Sequence, residues 1–267
     1  MKNFYQKKVI LITGATSGIG ADLAKLLTSL GSTVIAIGLK EPLMQELKAD
    51  CVANEGKLIG HLCDVTDLAK MEKIAEMVQA EVGTPDIIIA NAGLGGVNPA
   101  DTFDYEIDHK IMSVNYFGMV NTFGPYLKKL IEKRNGQLVG IASLAGFRGM
   151  PMACSYSASK SAQIKLLESW RVDLKKHNIK VNCICPGFIK TPMTNHEEFP
   201  LPFMVDVRDS SWHILKAIYQ NRSLYLYPFP MKLVTYLNRM LPNWLFDFIL
   251  PIVMKKKNGK ETKPKIF

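Results

Sequence analysis

The sequence has few of the features that mark secreted, membrane-spanning or metal-binding proteins. No apolar run reaches the ~18 residues that a membrane-spanning helix requires. Five cysteines are scattered over 267 residues, and neither a second cysteine pair nor a nearby histidine completes a metal site around Cys183 and Cys185. The apolar part of the N-terminus is short and leads directly into a glycine turn, which is unlike a signal peptide. We therefore expect reduced core thiols, no metal and a cytoplasmic protein.

Acidic residues are also in deficit, with 24 Asp and Glu against 33 Lys and Arg and a formal net charge of +9. Residues 255–267 carry six lysines and one glutamate, and so supply more than half of that charge. Charge elsewhere is mixed and no basic–aromatic interleaving occurs, so nucleic-acid binding is not predicted. We expect the last few residues to be a frayed, solvated terminus.

No linker or internal repeat interrupts residues 1–228, where short apolar runs alternate with segments of helical periodicity. Predicted strands cover about 9–12, 33–38, 57–62, 86–90, 137–142, 180–185 and 224–227. One predicted helix follows the glycine turn at 14–20, a second begins at Pro42, and a third begins after a cap at Thr66 or Asp67. Three more predicted helices cover about 103–133, 156–177 and 206–220. This alternation is typical of a doubly wound parallel α/β sheet of about seven strands, with helices on both faces. We expect one domain, with a catalytic part at 1–228 and a C-terminal helical extension with a lysine-rich tail at 229–267.

Glycine and polar residues fall where the predicted strands end. The first strand runs into Thr13-Gly14-Ala15-Thr16-Ser17-Gly18-Ile19-Gly20, and a helix follows. Such a turn lets backbone N–H groups at a helix N-terminus approach a pyrophosphate, although an ordinary β–α turn can also use glycine for packing. The other strand ends carry Asp64, Asn91, Ser143 and Gly187. In doubly wound sheets ligands bind beyond these ends.

Taken together in this order, the motifs resemble those of the short-chain dehydrogenase/reductase family over about residues 8–227. They are the glycine turn 13–20, Asp64, Asn91-Ala92-Gly93, Asn115, Ser143, Tyr156-Ser157-Ala158-Ser159-Lys160, Pro186-Gly187 and Thr191. The resemblance implies a single-domain Rossmann-type fold, a nicotinamide cofactor, and hydride transfer between a carbonyl and a CH–OH group. It further implies catalytic roles for Asn115, Ser143, Tyr156 and Lys160.

Tyr156 and Lys160 are four residues apart on a predicted helix and so share one face, although such a pair alone is more often a surface feature. A neighbouring ammonium group favours the phenolate form of a tyrosine, which suits Tyr156 to general acid–base chemistry. Ser143 supplies a hydroxyl donor for the substrate oxygen. By resemblance, Asn115 holds a water that links Lys160 to solvent, and Lys160 bonds the nicotinamide ribose.

The cofactor-binding residues are predicted by the same resemblance. They are Gly14, Thr16, Ser17, Gly18, Ile19, Gly20, Lys40, Asp64, Val65, Asn91, Ala92, Gly93, Tyr156, Lys160, Pro186, Gly187, Ile189 and Thr191. Of these, Gly14, Gly18, Ile19 and Gly20 are expected at the pyrophosphate, and Asp64 and Val65 at the adenine. The second strand ends in Gly38-Leu39-Lys40 without the acid that would bond a ribose 2′-hydroxyl. NADP(H) is therefore preferred, with NAD(H) as the alternative, since Lys40 can meet a 2′-phosphate.

The substrate is expected to be an apolar carbonyl or secondary alcohol. Its candidate pocket residues are Leu94, Leu144, Phe147, Met150, Phe188, Met193 and His196, with a small lid at 193–205. The alternative to an enzyme is a noncatalytic dinucleotide sensor or scaffold on the same fold. The resemblance implies a homodimer or homotetramer that forms through the helices containing Asn115 and Tyr156. The contact candidates there are Leu127, Leu130, Leu166, Leu167 and Trp170.

Residues 229–267 leave three interpretations open. Apolar residues recur at helical spacing from Leu233 to Leu241, and Pro242 begins a second apolar segment up to Met254. These helices can cover the substrate pocket, cover a subunit interface, or lie on a membrane surface beside the lysine cluster.

Overall fold

The computed structural model describes residues 1–194, 201–253 and 263–267. A sheet of seven parallel strands forms its centre, in the order β3-β2-β1-β4-β6-β7-β8. The strands are β1 (Val9–Thr13), β2 (Thr33–Gly38), β3 (Lys57–Leu62), β4 (Ile87–Ala90), β6 (Gly136–Ile141), β7 (Ile179–Pro186) and β8 (Leu224–Tyr227). Two short strands, β5 (Gly96–Val97) and β9 (Lys265–Ile266), pair separately and antiparallel. The predicted seven-stranded, doubly wound sheet is confirmed.

Helices connect the strands. They are α1 (Lys2–Tyr5), α2 (Gly18–Ser29), α3 (Glu41–Cys51), α4 (Leu68–Val82), α5 (Tyr105–Met112), α6 (Gly118–Lys133), α7 (Cys154–Asp173), α8 (Val207–Tyr219), α9 (Phe229–Met240) and α10 (Asn243–Val253). Asp67 caps α4 by accepting a hydrogen bond from the Lys70 N–H at 3.0 Å, which decides between the two predicted caps.

Strands β1, β2 and β4 are mainly apolar on both faces because both faces are covered. Leu11 packs into a core layer with α4, α6 and α7, whereas its neighbours Ile10 and Ile12 pack into the opposite layer with α2, α3 and α8. Alternate side chains of a strand point to opposite faces, so each strand contributes to both layers. Strand order reverses between β1 and β4, and this places a crevice at their carboxyl ends.

The helix predicted over 103–133 is interrupted. Asp104 caps α5 through the N–H groups of Glu106 and Ile107, and a π-helical turn, Ser113–Phe117, separates α5 from α6. The side chain of Asn115, in this turn, donates to the Leu94 carbonyl at 3.0 Å and accepts from the Leu94 N–H at 2.8 Å. Apolar periodicity does not register a single widened turn, so the sequence predicted one continuous helix.

The end of the chain differs most from expectation. Residues Lys265–Ile266 pair with Gly96–Val97, and the Phe267 N–H donates to the Gly95 carbonyl at 3.0 Å. The prediction of a frayed, solvated terminus is therefore wrong for residues 265–267. Among the described residues, no helix is both long and apolar enough to cross a membrane.

Two of the residues proposed for a subunit contact lie in the core. Leu130 and Leu167 are buried against the α6–α7 layer, so they are unavailable to a partner. Leu127, Leu166 and Trp170 are partly buried at the edge of the same layer. Packing within one chain accounts for the apolar character of the first two positions.

Candidate active site

A cavity of about 1160 Å³ lies beyond the carboxyl ends of the strands. Its wall runs from the glycine turn after β1, past the ends of β2, β4 and β6, to α7 and the C-terminal helices. Every residue predicted to bind cofactor lines this cavity except Gly20. The structure thus brings together residues that are up to 177 positions apart in the chain, from Gly14 to Thr191.

The glycine turn forms one end of the cavity. Gly14 and Gly18 have φ values of +64° and +50°, a conformation that side chains rarely adopt. A Cβ on Gly14 would lie 2.8 Å from the Ala92 Cα. Ser17 is the N-cap of α2 but makes no side-chain capping bond, so the first N–H groups of the helix are left to face the cavity. This cradle suits a pyrophosphate, and the donor set fits the implied dinucleotide.

Gly20, also predicted at the pyrophosphate, packs against the glycine turn. It does not line the cavity, and a Cβ there would lie 2.2 Å from the Gly14 carbonyl oxygen. Its lack of a side chain lets α2 approach the turn closely. The side-chain amide of Asn91 also binds the turn, because it donates a hydrogen bond to the Thr13 carbonyl at 3.0 Å.

Asp64 follows β3 at the adenine end of the predicted cofactor site. Its Oδ1 accepts from the Thr66 N–H at 2.9 Å and from the Thr66 hydroxyl at 2.8 Å, which holds the turn after the strand. At the neighbouring strand end, Gly38, Leu39 and Lys40 all line the cavity. The β2 end therefore presents a lysine, and no carboxylate, to this part of the cavity.

Ser143, Tyr156 and Lys160 all line the cavity, and α7 carries the last two. The Lys160 Nζ lies 5.6 Å from the centre of the Tyr156 ring. The Ser143 Oγ accepts from the Ala145 N–H at 3.2 Å. Because the oxygen accepts there, the hydroxyl proton can be donated into the cavity.

Lys160 is buried, and its Nζ donates to the Ile141 carbonyl at 3.0 Å. Burial lowers the pKa of Lys160 to about 8, because desolvation disfavours the ammonium form. The thiols of Cys183 and Cys185, on the adjacent strand β7, act weakly in the opposite direction. At pH 7 the lysine is therefore still mostly protonated, since its pKa lies only about one unit above that pH.

Asn115 is buried and does not line the cavity. Besides its two bonds to Leu94, its side chain donates to the Ser159 hydroxyl at 2.9 Å. Its backbone carbonyl accepts from the Gln163 side chain at 2.6 Å. Asn115 thus joins the loop after β4 to α7, the helix of Tyr156 and Lys160.

The far end of the cavity is mostly apolar. The predicted residues Leu94, Leu144, Phe147, Met150, Phe188 and Met193 all line it, whereas His196 and part of the predicted lid at 193–205 lie outside the described residues. The C-terminal helices also contribute, through Met231, Val234, Thr235, Asn238, Phe246 and Leu250, as does Phe267. Of the three interpretations of residues 229–267, the structure supports a pocket cover for their inner face.

Arg148, which the sequence motifs do not reveal, holds the C-terminal helices α9 and α10 over the cavity. It follows Ser143 on the same loop and donates from Nη1 to the carbonyls of Asn238 and, at 2.7 Å, Leu241 at the end of α9. Its Nη2 donates to Asn243 at 3.1 Å, and its guanidinium lies 3.8 Å from the centre of the Phe246 ring. One side chain therefore binds both C-terminal helices to the loop of the active site.

Comparison with known proteins identifies the family. The family model for short chain dehydrogenases matches residues 8–199. The chain is a short-chain dehydrogenase/reductase. It is 36% identical over 241 residues to an uncharacterized oxidoreductase of Myxococcus xanthus, covering 90% of this chain and 95% of the relative. It is 34% identical over 187 residues to the 3-oxoacyl-acyl-carrier-protein reductase FabG of Thermotoga maritima, covering 70% and 76%.

Two solved structures share the fold. A short-chain type dehydrogenase/reductase from Mycobacterium ulcerans superposes with a TM-score of 0.78 at 22% identity, over 85% of this chain and 90% of that one. Levodione reductase superposes with a TM-score of 0.76 at 24% identity, over 83% and 96%. The chain is thus an oxidoreductase of this family on a Rossmann-type sheet.

Proposed function

We propose that the protein is an NADP(H)-dependent oxidoreductase that interconverts an apolar carbonyl compound and its secondary alcohol. The observation that supports this most is that Ser143, Tyr156 and Lys160 line one cavity with the glycine turn. The name of the Thermotoga relative, a 3-oxoacyl reductase, supports carbonyl chemistry. The apolar far end of the cavity supports an apolar substrate.

In the proposed mechanism Tyr156 is the general acid–base. Its hydroxyl gives a proton to the substrate oxygen during reduction and takes one back during oxidation. The Ser143 hydroxyl donates a hydrogen bond to the same oxygen as negative charge develops on it. When bound, the nicotinamide supplies or accepts the hydride.

Lys160 and Asn115 assist Tyr156. The Lys160 ammonium favours the phenolate form across the 5.6 Å to the ring centre. It is also proposed to bond the nicotinamide ribose. Asn115 fixes the π-helical turn against Leu94 and α7, and it is proposed to hold a water that renews the proton on Lys160.

The proposal extends to the whole molecule. Residues 229–267 act with 1–228 as one domain, since their helices line the same cavity. The protein works in the cytoplasm as a homodimer or homotetramer.

A panel of apolar ketones and secondary alcohols, followed by nicotinamide absorbance, tests the reaction. Tyr156→Phe removes only the phenol hydroxyl and should lower turnover by about 10²-fold or more, the usual contribution of a general acid–base. Titration calorimetry should give an unchanged NADPH affinity. Equal turnover by the wild type and Tyr156→Phe would reject the mechanism. A protein that binds NADPH and shows no Tyr156-dependent turnover would favour the alternative, a dinucleotide sensor.

A further inference from the structure

Helices α9 and α10 are apolar on two opposite faces. The inner face carries the residues that line the cavity, among them Met231, Thr235, Phe246 and Leu250. The outer face carries Phe229, Leu233, Leu237 and Met240 on α9 and Trp244 and Phe248 on α10. Each of these six side chains is more than half exposed. We call these six residues the outer face.

The spacing of the outer face places its residues along one side of each helix. Positions 229, 233, 237 and 240 recur at helical intervals along α9, and positions 244 and 248 are one helical turn apart on α10. Twelve large apolar side chains of the described residues are more than half exposed, and these six lie within the 20 residues 229–248. A concentration of this kind marks an interaction surface, whereas single exposed apolar residues do not.

Charge in the same part of the chain indicates the partner. Residues 229–267 contain eight lysines and arginines against two acids, which is two thirds of the net charge of the whole protein. On α9, Lys232 is half-buried and Arg239 is exposed, and Asp247 on α10 is the only acid between 229 and 253. An apolar stripe of aromatic and leucine side chains, in the same part of the sequence as an excess of lysine, is the composition of a helix that lies in the interface of an anionic bilayer.

We propose that the outer face rests on the surface of an anionic lipid membrane, with α9 and α10 parallel to it. Leucine and aromatic side chains enter the boundary between headgroups and acyl chains, and the basic residues meet the lipid phosphates. The neighbouring inner face remains the cover of the cavity. The proposal concerns the binding of the protein to lipid and is independent of its reaction.

Liposome flotation with the full chain tests the proposal. Vesicles of phosphatidylcholine with about one third phosphatidylserine should carry the protein into the floated fraction at low salt, and pure phosphatidylcholine should carry much less. Raising the salt should weaken binding by screening the lysines. The double variant Leu237→Gln with Phe248→Gln should lose about tenfold or more of its partition, because both side chains leave the apolar stripe while glutamine keeps the helix.

A matched control removes exposed apolar surface elsewhere. Val52→Gln with Met77→Gln alters two exposed side chains outside α9 and α10 and should float like the wild type. Thermal melting of all three proteins verifies that they are folded. Absence of flotation by the folded wild type, or equal flotation of both double variants, would overturn the proposal. Light scattering tests the rival occupant, a second copy of this chain. That occupant is indicated if the wild type does not float and if Leu237→Gln with Phe248→Gln lowers the oligomer mass while the control variant does not.

Discussion

Lys160 places an ammonium group at a position that is only 4% exposed. Its folded pKa is about 8, against about 10.4 for an unfolded lysine. Between those values the unfolded chain binds a proton that the folded chain has released, so the free energy of unfolding rises with pH in that interval. Below pH 8 both states are protonated, and the folded protein bears the full cost of the buried charge.

Lys160→Met should therefore stabilise the protein at pH 7. Loss of the bond to the Ile141 carbonyl offsets part of the gain, which leaves on the order of 1–2 kcal/mol. Urea unfolding at pH 7 and at pH 10 measures the difference, which should shrink at the higher pH. If the stability gain of Lys160→Met stayed constant or grew with pH, the Lys160 ammonium would not be the source of the cost in the wild type. Turnover should be lost in this variant, so here stability and activity oppose each other.

Lys40 is the residue on which the proposed preference for NADP(H) over NAD(H) depends. It lines the cavity just after β2, where a carboxylate would otherwise repel a 2′-phosphate. Lys40→Glu should weaken NADPH binding by about tenfold or more and change NADH binding far less. Lys48→Glu makes the same charge change on α3 at an exposed position outside the cavity wall and serves as control. Tighter binding of NADH than NADPH by the wild type, in calorimetry, would reject the preference.

At the scale of elements, Arg148 joins the active-site loop to two helices. Arg148→Met removes three hydrogen bonds and the stacking on Phe246. We expect faster amide hydrogen exchange in α9 and α10, a several-fold higher KM for apolar substrates and an unchanged NADPH affinity, because the glycine turn is not touched. Arg171→Met, at an exposed position of α7, should leave all three unchanged. Unaltered exchange in Arg148→Met would show that other contacts hold these helices.

Elements with a local signal could be predicted from the sequence, and those with a distant cause could not. Strands β2, β3 and β8 match the predicted ranges to the residue, since each is a short run between turn residues. The motifs also named Ser143, Tyr156 and Lys160 as one group, and all three line the same cavity. The π-helical turn, the Arg148 contacts and the β5–β9 pair depend on partners 21 to 170 positions away, and neither periodicity nor composition carries that information.

For the whole molecule, the proposed dimer or tetramer needs a contact surface on α6 and α7. Phe117, the last residue of the π-helical turn, is more than half exposed, and Leu127, Leu166 and Trp170 on α6 and α7 are partly buried. We expect a mass of two or four times 29.8 kDa in light scattering. Phe117→Glu should lower that mass by placing a charge in the contact, and Val52→Glu, at an exposed position after α3, should not. A single species of 29.8 kDa at all micromolar concentrations would contradict the expectation.

The pairing of β5 with β9 also bears on the order of folding. It joins residues about 170 positions apart, whereas neighbouring strands of the sheet such as β1 and β2 are about 24 apart. Contacts at long separation carry a larger cost of loop closure and form when most of the chain is already in place. The glycine turn needs only β1, α2 and their neighbours. During folding, the dinucleotide site should thus form first. The substrate pocket should be complete only after β9 has paired with β5 and placed Phe267 in the cavity wall.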